Sequence, residues 1–419
     1  MTAVADGQFI NGELAGGELA GTGDGAASWP TWAERERAHI LARGRWRSVR
    51  DFDGAGPTGW LREGDGRRFV VSFASNDYLG LGQHPAVVAA AHAALDRWGA
   101  GSGSARLVTG SRPVHSELEA ELAEWKGTER AVLFPTGYAA NVGVLSALGT
   151  TGVRILSDER NHASIVDGCR QARADVTVYP HGDVEAVEHA LRQPGRAIVV
   201  TDTVFSMDGD LAPVAELAHV CGHHGALLVL DEAHAVLSPE PVLEGCHVLR
   251  VGTLSKTLGA LGGFVAGPAA LAELVVNRAR SFIYTTASSP ADMAAALAAL
   301  RVARGAEGRS LRARLRAHVE RVTPGHPTPI VSLVLGGEEP AVAASRQLLD
   351  QGLLVPAIRP PTVPAETSRL RITLSAAHTT EQVEHLSAAL SGLGSGIRAR
   401  LGAGLEEGPS VQGGDPAQA

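Results

Sequence analysis

The sequence predicts an α/β protein with a large, mostly parallel β-sheet and a smaller α+β domain at its C-terminal end. Between residues 130 and 231, short runs of aliphatic and β-branched residues alternate with segments of helical periodicity. Strands that are buried on both faces have this composition, and the strand–helix alternation implies right-handed crossovers between parallel strands. After about residue 305 the strands become more widely spaced, which indicates a separate, smaller domain.

Five apolar runs predict the strands of the large sheet: Ala131–Phe134, Arg154–Leu156, Val176–Tyr179, Ala197–Thr201 and Leu227–Asp231. Amphipathic segments separate them. In His115–Lys126, for example, Leu118, Leu122 and Trp125 share one helical face, and the glutamates lie mostly off it. The periodicity therefore predicts helices that cover the sheet.

The C-terminal third predicts a basic helix followed by an ordered series: a strand at Ile330–Leu335, a helix near Pro340–Gln351, strands near Leu353–Ile358 and Leu370–Leu374, and a last helix from Thr379. We divide the chain accordingly into an N-terminal tail (1–28), an N-terminal segment (29–74), a large domain (75–304), a small domain (305–395) and a C-terminal tail (396–419). Both tails are rich in glycine and lack periodicity, so we expect them to be disordered.

The composition excludes several classes of protein. The net charge of −8 and the pI near 6.1 do not fit a nucleic-acid-binding surface. No apolar run is long enough to span a membrane, and the N-terminus does not resemble a signal peptide. The three cysteines, Cys169, Cys221 and Cys246, show neither metal-ligand nor disulfide spacing. We therefore expect a cytoplasmic protein with free thiols and no metal.

The stretch Val248–Phe264 is the most informative part of the chain. It places Lys256 in an apolar, glycine-rich turn directly after a strand. Burial lowers the pKa of an amine, and an unprotonated amine can form a Schiff base with the aldehyde of pyridoxal 5'-phosphate (PLP). A lysine in such a loop is more often a solvated turn residue. Asp231 and His234, shortly before it, favour the chemical interpretation.

Other candidate site residues follow the predicted strands, and ligands bind at the carboxyl ends of strands in sheets of this kind. Phe134–Asn141 is a strand, a glycine turn and a helix start, which suits a phosphate. Asp158–Ser164 offers His162 for stacking on an aromatic ring, and Thr203–Asp210 offers hydroxyl groups. Asp231 ends a buried run, where a carboxylate needs a cation such as a protonated pyridine nitrogen.

Competing motifs fail on spacing. Gly99–Arg106 is similar to a dinucleotide-binding loop, but it follows a helical segment and lacks the third glycine. The sequence contains no phosphate-binding loop of the Gly-x-x-x-x-Gly-Lys-Ser/Thr type. It also contains neither a His-Glu-x-x-His zinc helix nor a Gly-x-Ser-x-Gly nucleophile turn.

Six motifs occur in a characteristic order: Ser75-Asn76-Asp-Tyr-Leu-Gly80, Thr136-Gly-Tyr-Ala-Ala-Asn141, Asn161-His-Ala-Ser164, Phe205-Ser-Met-Asp-Gly-Asp210, Asp231-Glu-Ala-His234 and Thr253-Leu-Ser-Lys256. With them the chain resembles the α-oxoamine synthases from about residue 30 to residue 395. The resemblance implies a fold-type I PLP-dependent transferase that condenses an amino acid with an acyl thioester and releases CO2.

The resemblance also implies roles around the cofactor ring. Lys256 would form the Schiff base and, once displaced, take the α-proton of the amino acid. Asp231 would pair with the pyridinium nitrogen, and His162 would stack on the ring. Ser206 and His234 would hydrogen-bond its 3'-oxygen.

For the phosphate, the resemblance implies the backbone of Gly137 and Tyr138, with the hydroxyl of Thr253. The family forms homodimers with shared sites, so Thr285 and Thr286 of the second chain would reach the same phosphate.

For the substrate, Arg371 would bind the amino-acid carboxylate, with Asn76 beside it. An N-terminal arginine would meet the far end of the acyl chain, and Arg45 and Arg47 are both candidates. The segment after His234 departs from the family because Ala235–Pro239 leads to Cys246 by a short path.

Two stretches, Ala357–Pro364 and Arg369–Thr373, most resemble the branch that joins L-alanine to a pimeloyl thioester in biotin biosynthesis. The sequence leaves open whether coenzyme A (CoA) or a carrier protein holds the acyl group. One alternative is a sister synthase that uses glycine with acetyl- or succinyl-CoA. Another is a non-catalytic scaffold homologue, although such a protein would typically lose Lys256.

Overall fold

The computed structural model describes residues 28–393, with the exception of residues 239, 240, 242 and 244. The two predicted tails, 1–28 and 396–419, lie outside the described residues apart from Ser28. Within that described part, no helix combines the length and the apolar character that a bilayer span requires.

The strands are β1 (Phe52–Gly54), β2 (Thr58–Glu63), β3 (Gly66–Ser72), β4 (Arg130–Phe134), β5 (Val153–Asp158), β6 (Asp175–Tyr179), β7 (Arg196–Asp202), β8 (Leu227–Asp231), β9 (His247–Thr253), β10 (Gly263–Gly267), β11 (Ile330–Gly336), β12 (Leu353–Leu354), β13 (Ala357–Ile358) and β14 (Ser368–Thr373). The α-helices are α1 (Trp29–Ala42), α2 (Pro85–Trp98), α3 (Pro113–Trp125), α4 (Gly137–Leu148), α5 (Ala163–Gln171), α6 (Val184–Leu191), α7 (Val214–His224), α8 (Ala269–Arg278), α9 (Arg280–Ile283), α10 (Pro290–Arg304), α11 (Ala306–Val322), α12 (Glu338–Asp350) and α13 (Thr380–Ser391).

The large sheet has seven strands in the described chain, in the order β4–β10–β9–β8–β7–β5–β6. The pairs among β5 to β9 are parallel, whereas β10 runs antiparallel to both β4 and β9. The predicted mostly parallel sheet is therefore confirmed. The antiparallel strand was not foreseen.

Both faces of this sheet are buried, and neighbouring residues of one strand serve opposite faces. Val200 packs in a cluster with Phe134 and Ile155, while Val199 packs in a second cluster with Leu228. This alternation follows from the period of two along a strand. A fully buried Val or Leu contributes about 1.5–3 kcal/mol, so the sheet forms the centre of the large domain.

A three-stranded antiparallel sheet, β11–β14–β13, forms the smaller C-terminal domain together with α11 to α13. The predicted strand region Leu353–Ile358 is divided in two. Its first part, β12, leaves this sheet and pairs in parallel with β3 of the N-terminal segment. Pro356 follows β12 after one intervening residue, and because proline lacks an N–H group it cannot continue a ladder.

Candidate active site

Lys256 lies in the turn between β9 and β10, as the sequence predicts. Backbone hydrogen bonds close this turn, with the N–H of Leu254 donating to Gly262 O at 2.9 Å and that of Gly259 donating to Lys256 O at 3.0 Å. Gly259 adopts a positive φ of 61°, and a Cβ there would lie 2.3 Å from the backbone nitrogen of Gly82. The glycines therefore allow the turn to approach the Leu81–Gln83 segment closely.

The amine of Lys256 is half-buried and lies among titratable groups. Its Nζ is 2.7 Å from Nε2 of His234, a residue that is itself buried. Loss of hydration lowers the pKa of Lys256, and the carboxylates of Asp231 and Asp202 oppose this only in part. The site thus makes removal of a proton from this amine easier, and the unprotonated form can act as nucleophile or base.

A chain of hydrogen bonds leads from Lys256 to Arg371. Nδ1 of His234 lies 2.5 Å from the hydroxyl of Tyr78, which donates to Asn76 Oδ1 at 3.3 Å. Arg371 Nη2 donates to the same oxygen at 3.2 Å. Burial, together with the positive charges of Lys256 and Arg371, holds the pKa of His234 well below its ordinary value, so this imidazole is neutral.

Arg371 also crosses to the large domain. Its Nε donates to the carbonyl oxygen of Ser206 at 2.5 Å, and its Nη1 donates to Thr373 Oγ1 at 2.9 Å. The guanidinium is buried. Arg371 therefore connects β14 of the small domain to the turn that carries Ser206.

Asp231 ends β8 and is 6% exposed. Its Oδ2 accepts a hydrogen bond from Asn141 Nδ2 at 2.6 Å, and its Oδ1 accepts from the N–H of Ala233 at 2.9 Å. Asn141 also donates to Ser164 Oγ at 2.9 Å. Two donors thus fix the carboxylate in place, and each oxygen keeps a further lone pair for a cation.

His162 lies at the N-terminus of α5. Its backbone N–H donates to Asp202 Oδ2 at 2.7 Å, and its Nδ1 is 2.7 Å from Ser164 Oγ. Burial lowers the pKa of His162, although the nearby Asp231 opposes the effect. The result is an oriented, neutral ring beside the buried carboxylate.

Three backbone segments meet at the N-terminus of α4. A Cβ added to Gly137 would lie 3.1 Å from Cβ of Thr253, and one added to Gly263 would lie 2.5 Å from the nitrogen of Gly137. Thr136 caps the helix by accepting from the N–H of Ala139 at 3.0 Å. The N–H groups of Gly137 and Tyr138 have no acceptor within the first turn, which makes this cup suitable for an anion.

The remaining predicted residues have other neighbours. The hydroxyl of Tyr138 donates to Asp167 Oδ2 at 2.5 Å, and that of Thr253 donates to Gly262 O at 3.0 Å. Thr285 and Thr286 line a small cavity together with Pro135.

Both N-terminal arginines contact the small domain. Arg45 pairs with Glu338 at 2.6 Å, and Arg47 donates to Thr362 Oγ1 at 3.3 Å. Neither contact involves the hydrogen-bond chain around Lys256.

Sequence reasoning gave no role to three residues of the site: Tyr78, Asn141 and Asp202. Tyr78 and Asn141 belong to the motifs quoted above, so their positions were marked without their function. Asp202 directly follows the predicted strand Ala197–Thr201, and this strand-end position is the same signal that identified Asp231.

Comparison with known proteins agrees with this geometry. The family "Aminotransferase class I and II" matches residues 68–390. An 8-amino-7-oxononanoate synthase of Geobacter sulfurreducens is 44% identical over 86% of this chain and 97% of its own length. One of Anaeromyxobacter dehalogenans is 47% identical, over 86% and 94%. Among solved structures, a serine palmitoyltransferase from S. paucimobilis with bound PLP is 30% identical, with a TM-score of 0.80, over 88% of this chain and 98% of that one.

Proposed function

Because the chain belongs to the aminotransferase class I and II family, we propose that it is an acyltransferase that condenses L-alanine with a pimeloyl thioester. The products are 8-amino-7-oxononanoate, CO2 and a free thiol, in biotin biosynthesis and in the cytoplasm. Synthases that carry the name of this product match most of the chain at 44% and 47% identity.

The family is PLP-dependent, the architecture is that of fold-type I, and the residues of this chain fit the cofactor. When bound, PLP supplies an electron-withdrawing ring that stabilises negative charge at the α-carbon of an amino acid. Lys256 would hold its aldehyde, and Asp231 would pair with its ring nitrogen. The cup formed by Gly137, Tyr138 and Thr253 would hold the phosphate.

The observation that carries the proposal is the hydrogen-bond chain from Lys256 to Arg371. An α-amino acid presents an amine and a carboxylate on one carbon. At one end of the hydrogen-bond chain, Lys256 can exchange with the amine of the amino acid. At the other end, the buried guanidinium of Arg371 can pair with its carboxylate. Asn76 lies at the arginine end, and its amide would share the carboxylate. We infer that alanine replaces the Tyr78–Asn76 part of this chain when it binds.

Within this site, the neutral amine of Lys256 would remove the α-proton, because burial has already lowered its pKa. His162 would cover one face of the ring. The Ser206 hydroxyl and His234 would donate to the 3'-oxygen. Exclusion of water by this buried arrangement would keep the reactive carbon from protonation by solvent.

We also propose a homodimer. No residue of α1 is buried, and Trp29 and Trp32 are 79% and 51% exposed. Exposed tryptophans of this kind favour a covering surface, and a second copy of the chain would supply it. Thr285 and Thr286 of each chain would then reach the phosphate site of the other. Sedimentation of the wild type should show a dimer, and Trp29→Glu together with Trp32→Glu should shift it to monomer.

The function is tested by measuring CO2 release from the PLP-loaded protein with alanine or glycine against pimeloyl-, acetyl- and succinyl-CoA. We expect turnover with alanine and the pimeloyl thioester. Preference for glycine with a short acyl group would instead show the sister synthase. If no combination of amino acid and acyl thioester releases CO2 although Lys256 is intact, the protein would be a non-catalytic scaffold homologue. A parallel assay with a pimeloyl carrier protein identifies the donor.

The acyl end of the site is tested with Arg45→Ala and Arg47→Ala. We propose that one of these arginines meets the far carboxyl group of the pimeloyl chain. The variant that removes it should raise KM for the pimeloyl thioester and leave α-proton exchange of alanine unchanged, because only distant binding is lost. If neither variant changes KM, both arginines serve only to attach the N-terminal segment to Glu338 and Thr362.

A further inference from the structure

His181 is a half-buried group that the proposed reaction does not use. It follows β6 and bridges two carboxylates, with Nδ1 3.1 Å from Asp158 Oδ1 and Nε2 2.6 Å from Asp210 Oδ2. The ring of Phe205 meets the imidazole edge-on, with 4.3 Å between the centroids. Both ring nitrogens therefore face acceptors, and this arrangement requires the doubly protonated imidazolium.

The groups around His181 favour its doubly protonated, positively charged form. Burial alone would lower its pKa, but hydrogen bonds to Asp158 and Asp210 outweigh it and raise the pKa to about 9. Three other titratable groups interact with these carboxylates, namely Tyr179, Asp202 and His326, and the first and last of them could compete with His181 as a proton carrier. The pKa of Tyr179 is raised by burial and by Asp158, and that of His326 is lowered by burial. Both groups are neutral at physiological pH, so His181 is the cation between the two carboxylates.

The two carboxylates belong to the two turns that carry predicted ring contacts. Asp158 ends β5 and accepts from the N–H of Arg160 at 2.8 Å, at the start of the turn that leads to His162. Asp210 ends the turn that begins at Phe205, and the N–H of Phe205 donates to its carbonyl oxygen at 3.0 Å. Ser206 lies in that turn. His181 thus joins the segment before His162 to the segment after Ser206.

We propose that His181 is a positioning residue for the cofactor ring. As an imidazolium it holds the Phe205–Asp210 turn against the end of β5, so that Ser206 and His162 keep a fixed relation to each other. Loss of this cation would leave the two carboxylates facing each other and would release the Ser206 turn. The proposal rests on the proposed function, because it takes Ser206 and His162 as ring contacts.

The test compares His181→Gln with Ser206→Ala and with the wild type, each loaded with PLP, by titrating the absorbance of the bound cofactor with pH. A hydrogen bond donated to the 3'-oxygen stabilises its anionic form. Its loss should therefore raise the midpoint of the titration by about 0.5–1 pH unit, the size of one hydrogen bond. We expect the same upward shift in both single variants and no further shift in the double variant. His219→Gln, on the exposed face of α7, is the matched control.

A second measurement does not require the cofactor. In the apoprotein, the imidazole of His181 should titrate near pH 9 by NMR, and Asp210→Asn should lower that value. Asp210→Asn also replaces His181→Gln in the absorbance test if the latter fails to fold. A wild-type midpoint in these variants, with only the melting temperature reduced, would overturn the positioning role. Absence of any cofactor band in the wild type would instead overturn the proposed function.

Discussion

Replacing Asp231 by asparagine should remove the charge on which the proposed chemistry depends while keeping the shape of the side chain. The carboxylate is 6% exposed, so a cation paired with it is held in a medium of low polarity. Breaking a buried ion pair costs about 3–5 kcal/mol. If that loss falls on the charge-separated state that follows removal of the α-proton, exchange of this proton should slow about 100- to 10,000-fold.

The same substitution should have a smaller effect on folding. Both oxygens of Asp231 accept hydrogen bonds, so an asparagine must turn its NH2 group toward one donor, at a cost of about 1–3 kcal/mol. Asn141 can relieve this conflict, because its own Oδ1 is buried without a hydrogen-bond partner among the described residues. Rotation of the Asn141 amide would present that oxygen to the new NH2 group. We therefore expect the variant to fold and to bind PLP.

The assay follows loss of the α-proton signal of alanine in deuterated water by NMR, with the cofactor affinity measured separately. Glu232→Gln is the matched control. Glu232 is the next residue in sequence, but it pairs with Lys126 at 2.7 Å and with Arg250, away from the hydrogen-bond chain of the site. Its loss should lower stability and leave exchange within a few-fold of the wild type. Exchange at the wild-type rate in Asp231→Asn would refute the reasoning and make Asp231 a structural residue.

Three further predictions concern other parts of the site. Lys256→Ala should fold yet show no turnover and no borohydride-fixed cofactor, whereas fixation to another lysine in the wild type would contradict the assignment. Gly263→Ala would place a Cβ 2.4 Å from the backbone of Thr136, so its Kd for PLP should rise at least about tenfold; Gly101→Ala, where nothing lies within 4 Å, is the control. In the apoprotein, the raised pKa of His181 means that its pairing stabilises the fold fully below pH 6.5 and is lost as the pH rises through about 9. Solvent screening at this partly exposed site reduces the contribution to about 1–2 kcal/mol. A difference in the urea-measured free energy of unfolding between wild type and His181→Gln that stays constant across this pH window would be inconsistent with it.

The strands of the large sheet could be predicted from sequence because each is a short apolar run that needs burial on both faces. Neither the presence of β10 nor its direction was predicted. Gly263–Gly267 is equally apolar, and nothing in its composition distinguishes a parallel from an antiparallel neighbour. The N-terminal strands were missed for another reason. Thr58–Glu63 carries charged residues at its end and lacks a long apolar run, and only β3 of this group gains a distant partner, β12, which local periodicity does not report.

The residues of the site divide in the same way, into those that the strand pattern predicts and those whose position depends on tertiary packing. Lys256, Asp231 and His162 could be grouped in advance because the carboxyl ends of neighbouring strands meet at one edge of a sheet. The contact between Tyr78 and His234 could not be, since Tyr78 comes from a loop before the first helix of the large domain. Its position depends on how that loop packs, and no strand or helix period encodes it. The pairing of His181 with Asp158 and Asp210 is of the same kind.

The pairing of β12 with β3 has a consequence for synthesis of the chain. The β2–β3 hairpin leaves the ribosome early, but the strand that completes its edge lies beyond the whole large sheet. At about 5–20 residues per second, the partner arrives on the order of tens of seconds later. During that interval the edge of β3 presents unpaired backbone groups, with Phe69 exposed nearby. The nascent protein is therefore most prone to pair with another copy of itself in the interval after β3 has emerged and before residue 353 has emerged.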